Sequence, residues 1–360
     1  MQDFLKKITG RNKYYPKNNV NVEKEEKRKT MKLPVLISIT LSVAIIIVIL
    51  FFTFDAKTLD YLTSTNIRYE FFIAAIFVNI LYWACWGGRL KTLSNAIDKN
   101  VKISLKESTE IILANLFLAN ITPSMAGGEP VRIYLLNKNG LSVGNATAAV
   151  LGERLLDAVF LLMCFPFAFI IFGSHLETGP LKIGLAIAVL VFISLLAAFA
   201  YAIKYPEKMK RFLIWISKKI SKFSKKKEGE SKTVVKINRE VDNFHNSMMF
   251  FLSEGKLAFI KAFILTALFW AVGWIIPILV LMGLGLGPHV IESTAAQILM
   301  VIIVMMPTTP GSAGITEGGI AALYSVFIDS SLVGIFVLVF RLMTYHLGLI
   351  VGGIYQYKIF

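Results

Sequence analysis

The stretch Asn120-Ile121-Thr122-Pro123-Ser124-Met125-Ala126-Gly127-Gly128-Glu129-Pro130-Val131-Arg132 interrupts an apolar run with proline and paired glycine, then sets a carboxylate and a guanidinium in oily surroundings. A second stretch, Met306-Pro307-Thr308-Thr309-Pro310-Gly311-Ser312-Ala313-Gly314-Ile315-Thr316-Glu317-Gly318-Gly319, does the same and also closes on glutamate. What two such interruptions mean depends on the medium that surrounds them.

Composition fixes that medium. Of 360 residues, 56% are hydrophobic and 17% charged, and the mean hydropathy is +0.65. This is too oily for a soluble domain and too uneven for one large core. Crossing the hydrocarbon takes about 20 apolar residues at about 1.5 Å each. Segments 33–54, 71–88, 158–172, 183–203, 262–287, 293–316 and 342–357 contain no Asp, Glu, Lys or Arg. The chain reads as an all-α polytopic membrane protein. Its two cysteines, Cys85 and Cys164, lie inside such runs and read as small core residues rather than a disulfide pair.

The net charge of +15 invites a nucleic-acid partner, but its placement argues against one. Basic residues gather before Leu33, from Arg89 to Lys106 and from Lys204 to Lys256, while 173–179 and 283–292 have no Lys or Arg. That asymmetry is the positive-inside rule, and it places both termini in the cytoplasm. Residues 1–32 read as a disordered cytoplasmic tail. Residues 33–360 form one transmembrane domain, and 33–54 is an uncleaved first span, too long and too deep for a secretory signal. The basic loop 204–256 carries Met209, Phe212, Leu213 and Ile216 at helical spacing, so it predicts amphipathic helices lying on the membrane surface. Its lysine-rich part, 218–227, suits anionic headgroups.

A simple count of spans fails at 111–128. If this segment crossed, Arg132 and Lys138 would face outward, against the charge rule. A helix that enters, breaks at Pro123 and returns satisfies both the hydropathy and the charges. Irregular backbone at membrane depth is tolerated only where protein or a wet cavity covers its polar groups. The same argument brings the second break, at Pro307 and Pro310, in from the opposite face. The backbone positions that permit re-entry are Pro123, Gly127, Gly128, Pro307, Pro310, Gly311 and Gly314. The expectation is six full spans plus two re-entrant segments, with eight spans as the alternative. Two broken elements entering from opposite faces predict an inverted repeat with its site near the midplane.

Ionisable residues at that depth are Glu129, Arg132, Glu153, Arg154, Asp157, Glu317 and Arg341. Each costs roughly 2.5 to 3.5 kcal/mol to insert, so they must face a cavity or one another. Glu153, Arg154 and Asp157 fall at helical spacings of three and four and can pair locally, which would only fix packing. Glu129 and Glu317 stand at backbone breaks, where packing alone favours apolar residues. Arg132 and Arg341 offer a bidentate fork to a phosphate. No His-Glu-x-x-His pair, phosphate loop or partnered cysteine occurs, so no catalytic residue, metal or cofactor is expected.

Three ordered motifs, Ala126-Gly127-Gly128-Glu129-Pro130-Val131-Arg132, Glu153-Arg154-Leu155-Leu156-Asp157 and Pro307 to Gly318, resemble the transmembrane region of lysylphosphatidylglycerol synthases. The likeness extends over roughly 33–355 and is similar to free-standing archaeal membrane proteins built from that region alone. In the two-part synthases this region acts as a flippase, while a separate soluble domain performs aminoacyl transfer. No such domain follows the last apolar run here, so the resemblance implies lipid translocation and argues against synthase activity. Together these readings predict a flippase for a polar-headed lipid, with Glu129, Arg132, Glu317 and Arg341 lining a midplane cavity. Membrane lipids with anionic or lipid-linked headgroups are the expected partners, and a homo-oligomer is left open. A secondary transporter of an ion or small solute, and a non-catalytic membrane partner of a lipid-modifying enzyme, are the alternatives.

Overall fold

The computed structural model describes residues 67–122, 127–173, 201–223, 230–304, 312 and 314–359, with scattered positions between 44 and 63 and between 190 and 200. The tail 1–32, most of 33–54 and 183–203, and the break residues Pro123, Pro307, Pro310 and Gly311 lie outside the described residues. Among the described residues every regular element is helical. In chain order these are α1 (Tyr69–Ile97), α2 (Leu105–Asn120), α3 (Gly128–Lys138), α4 (Val143–Phe172), α5 (Pro206–Phe223) and α6 (Glu230–Leu252). They are followed by α7 (Lys256–Gly283), α8 (Val290–Val304), α9 (Ile315–Tyr324), α10 (Ser330–Arg341), a π-helical turn (Leu342–His346) and α11 (Leu347–Ile359).

Four of these stretches are long and apolar enough to cross a membrane: α1, α4, α7 and the continuous run Ser330–Lys358. The two further spans expected at 33–54 and 183–203 fall mostly outside the described residues. The helices outrun their charge-free segments. α1 continues past Gly88 to Ile97, and α4 starts at Val143, some ten residues before its first charge-bearing motif. Charge does not end a helix when the buried charged side chains have partners, as Arg89 of α1 and Glu153 and Asp157 of α4 do.

The interrupted segments fold as two helix–break–helix hairpins, α2 with α3 and α8 with α9. Their arms of 16, 11, 15 and 10 residues span about 24, 16, 22 and 15 Å at about 1.5 Å per residue, so none crosses a hydrocarbon core of about 30 Å by itself. α2 starts on a capping box, in which Ser104 Oγ accepts from the Glu107 amide at 3.2 Å and Glu107 returns a carboxylate to the Ser104 amide at 2.8 Å. A hydroxyl bridges each break. Thr122 Oγ1 donates to the Leu118 carbonyl at 2.7 Å and accepts from the Gly127 amide at 2.8 Å. Ser312 Oγ donates to the Val304 carbonyl at 3.4 Å, and Gly314, at φ +90°, leads into α9.

Two apolar cores position these hairpins. One gathers Leu90 and Leu93 of α1, Ile112 of α2, Leu135 of α3, Ala149 of α4 and Ala262 of α7. The other gathers Ala75 of α1, Phe172 of α4, Val280 of α7, Leu299 of α8 and Ile320 of α9. α4 and α7 both run from the first core to the second, and α1 runs the other way. The α2–α3 hairpin therefore sits at one end of the α4/α7 pair and the α8–α9 hairpin at the other, as the charge parity requires. α2 is gripped on two sides by glycines. A Cβ on Gly87 of α1 would lie 2.9 Å from the Thr109 backbone, and one on Gly352 of α11 would lie 2.6 Å from the Phe117 amide nitrogen. Without a hydrophobic drive between helices in lipid, such close backbone approach supplies the packing energy.

Candidate functional site

Arg89 is the hub of the first charged cluster. It continues the stripe Tyr82, Trp86, Arg89 and Leu93 on α1, and the last three of these are buried. Its Nε donates to Glu153 Oε1 at 3.0 Å, its Nη1 to Asp157 Oδ1 at 2.5 Å and its Nη2 to Asp157 Oδ2 at 3.4 Å. Thr266 of α7 accepts from Nη1 at 3.3 Å while donating its own hydroxyl to the Ala262 carbonyl at 2.9 Å. Glu153 and Asp157 are one helical turn apart on α4, which lets one guanidinium engage both. Trp270 Nε1 adds a hydrogen bond to Asp157 Oδ1 at 3.0 Å, and the Phe269 ring lies 4.8 Å below the Arg89 guanidinium.

The hairpin α2–α3 brings the remaining charges. Arg132 Nη1 donates to Glu153 Oε2, and its Nη2 reaches Glu129 Oε1 at 3.4 Å. Arg154 closes the ring with Glu129 Oε1, at 3.0 Å from Nε and 2.7 Å from Nη2, and with Asp157 Oδ2 at 3.4 Å. Three arginines thus meet three carboxylates with no net charge. The local pairing expected within Glu153, Arg154 and Asp157 occurs only between Arg154 and Asp157, because Glu153 turns to Arg89 and Arg132 instead. Side-chain exposure rises from 0% at Arg89, Arg132 and Glu153 through 7% at Asp157 to 24% at Glu129 and 43% at Arg154. The Glu129–Arg154 pair is the rim of an otherwise enclosed network.

Glu317 and Arg341 form the second cluster. Arg341 Nε donates to Glu317 Oε1 at 2.8 Å, and the Gly314 amide donates to Glu317 Oε2 at 2.6 Å, so the carboxylate both pairs the arginine and caps α9. Both side chains are buried. The π turn starts directly after Arg341, and a turn of this kind puts backbone groups out of the regular ladder. Asn79 Nδ2 donates to the Met343 carbonyl at 2.9 Å, and His346 Nδ1 donates to the Arg341 carbonyl at 3.1 Å. Asn120, the last residue of α2, exchanges contacts with Tyr345: the Tyr345 hydroxyl donates to the Asn120 carbonyl at 3.3 Å, and Asn120 Nδ2 reaches the Tyr345 carbonyl at 3.5 Å. The Tyr345 ring lies 4.1 Å from the Arg341 guanidinium.

The two clusters are separate. No ion pair joins them among the described residues, and Asn79 and Arg89 on α1 fix their offset at ten residues, about 15 Å along the helix. Of the four residues expected to line a cavity, Arg132, Glu317 and Arg341 are enclosed, and only Glu129 is partly exposed. Two of the three buried arginines keep a nitrogen with no acceptor among the described residues, Nε on Arg132 and Nη2 on Arg341, and Asn115 Nδ2 beside Gly128 has none there either. Gly127 and Gly128 open α3, and Gly314 immediately precedes α9.

Arg89, Asn79 and Trp270 were not legible as site residues. Arg89 reads in the sequence as a cytoplasmic topology marker because it ends the charge-free run. Its spacing of three from Trp86 and seven from Tyr82, on the stripe that faces α7, is the signal that places it inside.

Comparison with known proteins agrees with this architecture. A UPF0104 membrane protein of Archaeoglobus fulgidus is 32% identical over 307 residues, covering 84% of this chain and 90% of the relative. UPF0104 membrane proteins of Methanocaldococcus jannaschii and Pyrococcus horikoshii are 29% and 25% identical over 83% and 84% of the chain, and the matches cover 87% and 90% of those proteins. No solved structure matches. The family model for the lysylphosphatidylglycerol synthase transmembrane region matches residues 38–352, and this multi-pass membrane protein belongs to that family.

Proposed function

We propose that this protein moves a phosphate-bearing lipid headgroup between leaflets, holding it in turn at two charged layers while the hydrocarbon tails stay in lipid. The observation that carries this reading is the pair of closed arginine–carboxylate clusters, about 15 Å apart along α1, each built on a helix–break–helix hairpin. Half a bilayer separates the layers, so a headgroup leaving one is within reach of the other.

The chemistry is partner exchange. An arginine already paired with a carboxylate is neutral as a unit and tolerable at depth. A phosphate entering at the rim takes Arg154 from Glu129, and the unaccepted N–H of Arg132 offers a further donor. At the second layer Arg341 supplies the same fork, with Nη2 able to donate to a new partner before Glu317 lets go. Asn79 and Asn120, bonded to the π turn, supply polar side chains beside the second layer. Glu129 and Glu317 are counter-ions that hold each arginine when no headgroup is bound.

The test is leaflet exchange. Purified protein is reconstituted in vesicles containing a trace of fluorescent phospholipid, and the outer-leaflet label is bleached with an impermeant reductant. Exchange well above empty vesicles, reduced at least tenfold in Arg341→Gln, is expected. Equal rates with and without protein, across phosphatidylglycerol, phosphatidylethanolamine and their aminoacylated forms, refute the reading. Ion-gradient-driven solute uptake in the same vesicles would assign the clusters to a secondary transporter instead.

A further inference from the structure

We infer that α5 is a docking helix for the anionic leaflet of the membrane in which this chain sits, and that its contact face is the side turned away from the protein. The sequence pattern puts Met209, Phe212, Leu213 and Ile216 on one apolar face, but the structure divides them. Met209 packs against the first core. Phe212 and Trp215 turn outward, 58% and 57% exposed, with their rings stacked 6.3 Å apart.

Cations surround those rings. Lys208, Arg211 and Lys219 are exposed and fall within the same arc as Phe212 and Trp215 at about 100° per residue. Lys219 Nζ sits 5.1 Å from the Trp215 ring. Upstream, exposed Tyr201 and Tyr205 bracket Lys208 Nζ at 5.0 Å from each ring, and Lys204 Nζ lies 5.7 Å from Tyr205. α5 carries six Lys or Arg and one Glu. Alternating amphipathic rings and cations on one exposed face match a headgroup layer, which is apolar on one side, wet on the other and negatively charged.

The opposite face of α5 is tied down. Lys210 Nζ pairs Asp242 of α6 at 2.7 Å, and just before α5 the Ile203 carbonyl accepts from His245 Nδ1 of α6 at 2.8 Å. α6 in turn holds the start of α4, where the Gly144 amide donates to Glu240 at 2.8 Å and Ser247 Oγ donates to Asn145 at 3.0 Å. The free face of α5 is thus an outer surface of a clamped element. At the same end of the molecule a cleft of about 500 Å³ is lined by Lys91, Lys99 and Lys261 together with Glu254, and none of the three lysines is in an ion pair among the described residues. A second group of cations therefore faces the same leaflet.

The experiment uses the full chain with Cys85 and Cys164 replaced by alanine and Trp215→Cys carrying a polarity-sensitive fluorophore. The protein is placed in nanodiscs of phosphatidylcholine alone or mixed with phosphatidylglycerol. In the mixed discs the emission should shift to the blue, and a quencher on the lipid chains should act on the label while aqueous iodide does not. The triple variant Lys208→Gln/Arg211→Gln/Lys219→Gln should weaken docking roughly a hundredfold, at about 1 kcal/mol per cation. A label at Phe212→Cys should behave like that at 215, which separates docking from a local effect of either substitution. A label equally open to iodide in both disc types overturns the proposal. So does a label shielded from both quenchers, which would place a protein surface against α5.

Discussion

The buried network makes a sharp statement about Arg89→Met. The substitution leaves two arginines facing three carboxylates. Glu153 keeps Arg132 and Asp157 keeps Trp270 and Arg154, but one negative charge in the enclosed core loses its counter-ion. Breaking a buried pair from one side costs about 3 to 5 kcal/mol. At about 1.36 kcal/mol per decade, the folding equilibrium falls by roughly 160- to 5,000-fold. The double variant Arg89→Met/Asp157→Asn restores charge balance at two against two and keeps an acceptor for Trp270 Nε1, so it should recover at least half of the loss. The assay is thermal unfolding of purified protein in detergent, where a drop on the order of 10 °C is expected for the single variant. Lys99→Met, which removes an exposed cation from the next stretch of chain, is the control. If Arg89→Met melts with Lys99→Met, or if the double variant is no better than the single, the network does not hold the fold together as described.

The other predictions concern the second cluster, the helix contacts and the surface. Glu317→Gln keeps an acceptor for the Gly314 amide but strands Arg341, so it should cost about 3 kcal/mol in the same melt and slow leaflet exchange at least tenfold. Gly352→Ala places a methyl 2.6 Å from the Phe117 nitrogen and 3.0 Å from the Leu113 carbonyl, both backbone, and should cost about 1 to 3 kcal/mol, read by the same melt. Gly318→Ala meets no atom within 4 Å and should be neutral or slightly stabilising. Lys210 is held above the ordinary lysine value by its hydrogen bonds to Asp242 and Glu207. A raised lysine contributes its full stability below the unfolded value of about 10.4 and loses it as pH climbs through the higher folded one. Proteolysis between α5 and α6 should therefore accelerate only in that alkaline window, and Lys210→Met should abolish the step.

Much of the fold was legible because lipid imposes a simple rule on the chain. Charge-free runs and lysine asymmetry predict α1, α4, α7 and the final span, and proline with glycine predicts both hairpins. The helix ends were less legible, since Arg89, Glu153 and Asp157 look like edges until each is seen to neutralise another. The candidate site divides in the same way. Glu129, Arg132, Glu317 and Arg341 stand out as charges in apolar sequence, and the pairing of Arg132 with Glu129 follows from a spacing of three. That Glu317 would meet Arg341, 24 residues on, depends on how α9 and α10 pack, which periodicity does not encode. The π turn has no sequence mark at all, because Leu342-Met343-Thr344-Tyr345-His346 reads as ordinary helix. On α5, spacing identified an amphipathic helix but not which apolar residues the protein would keep for itself.

The zero net charge of the first cluster also sets an order on how the protein is made. Arg89 is synthesised 64 residues before Glu153 and 68 before Asp157. At roughly 5 to 20 residues per second, α1 leaves the ribosome some 3 to 13 s before a counter-ion for its guanidinium exists. Arg132 arrives in between and adds a second cation. The early helices must therefore wait at the insertion machinery or the headgroup layer, and α4 is the segment whose arrival lets them settle at full depth.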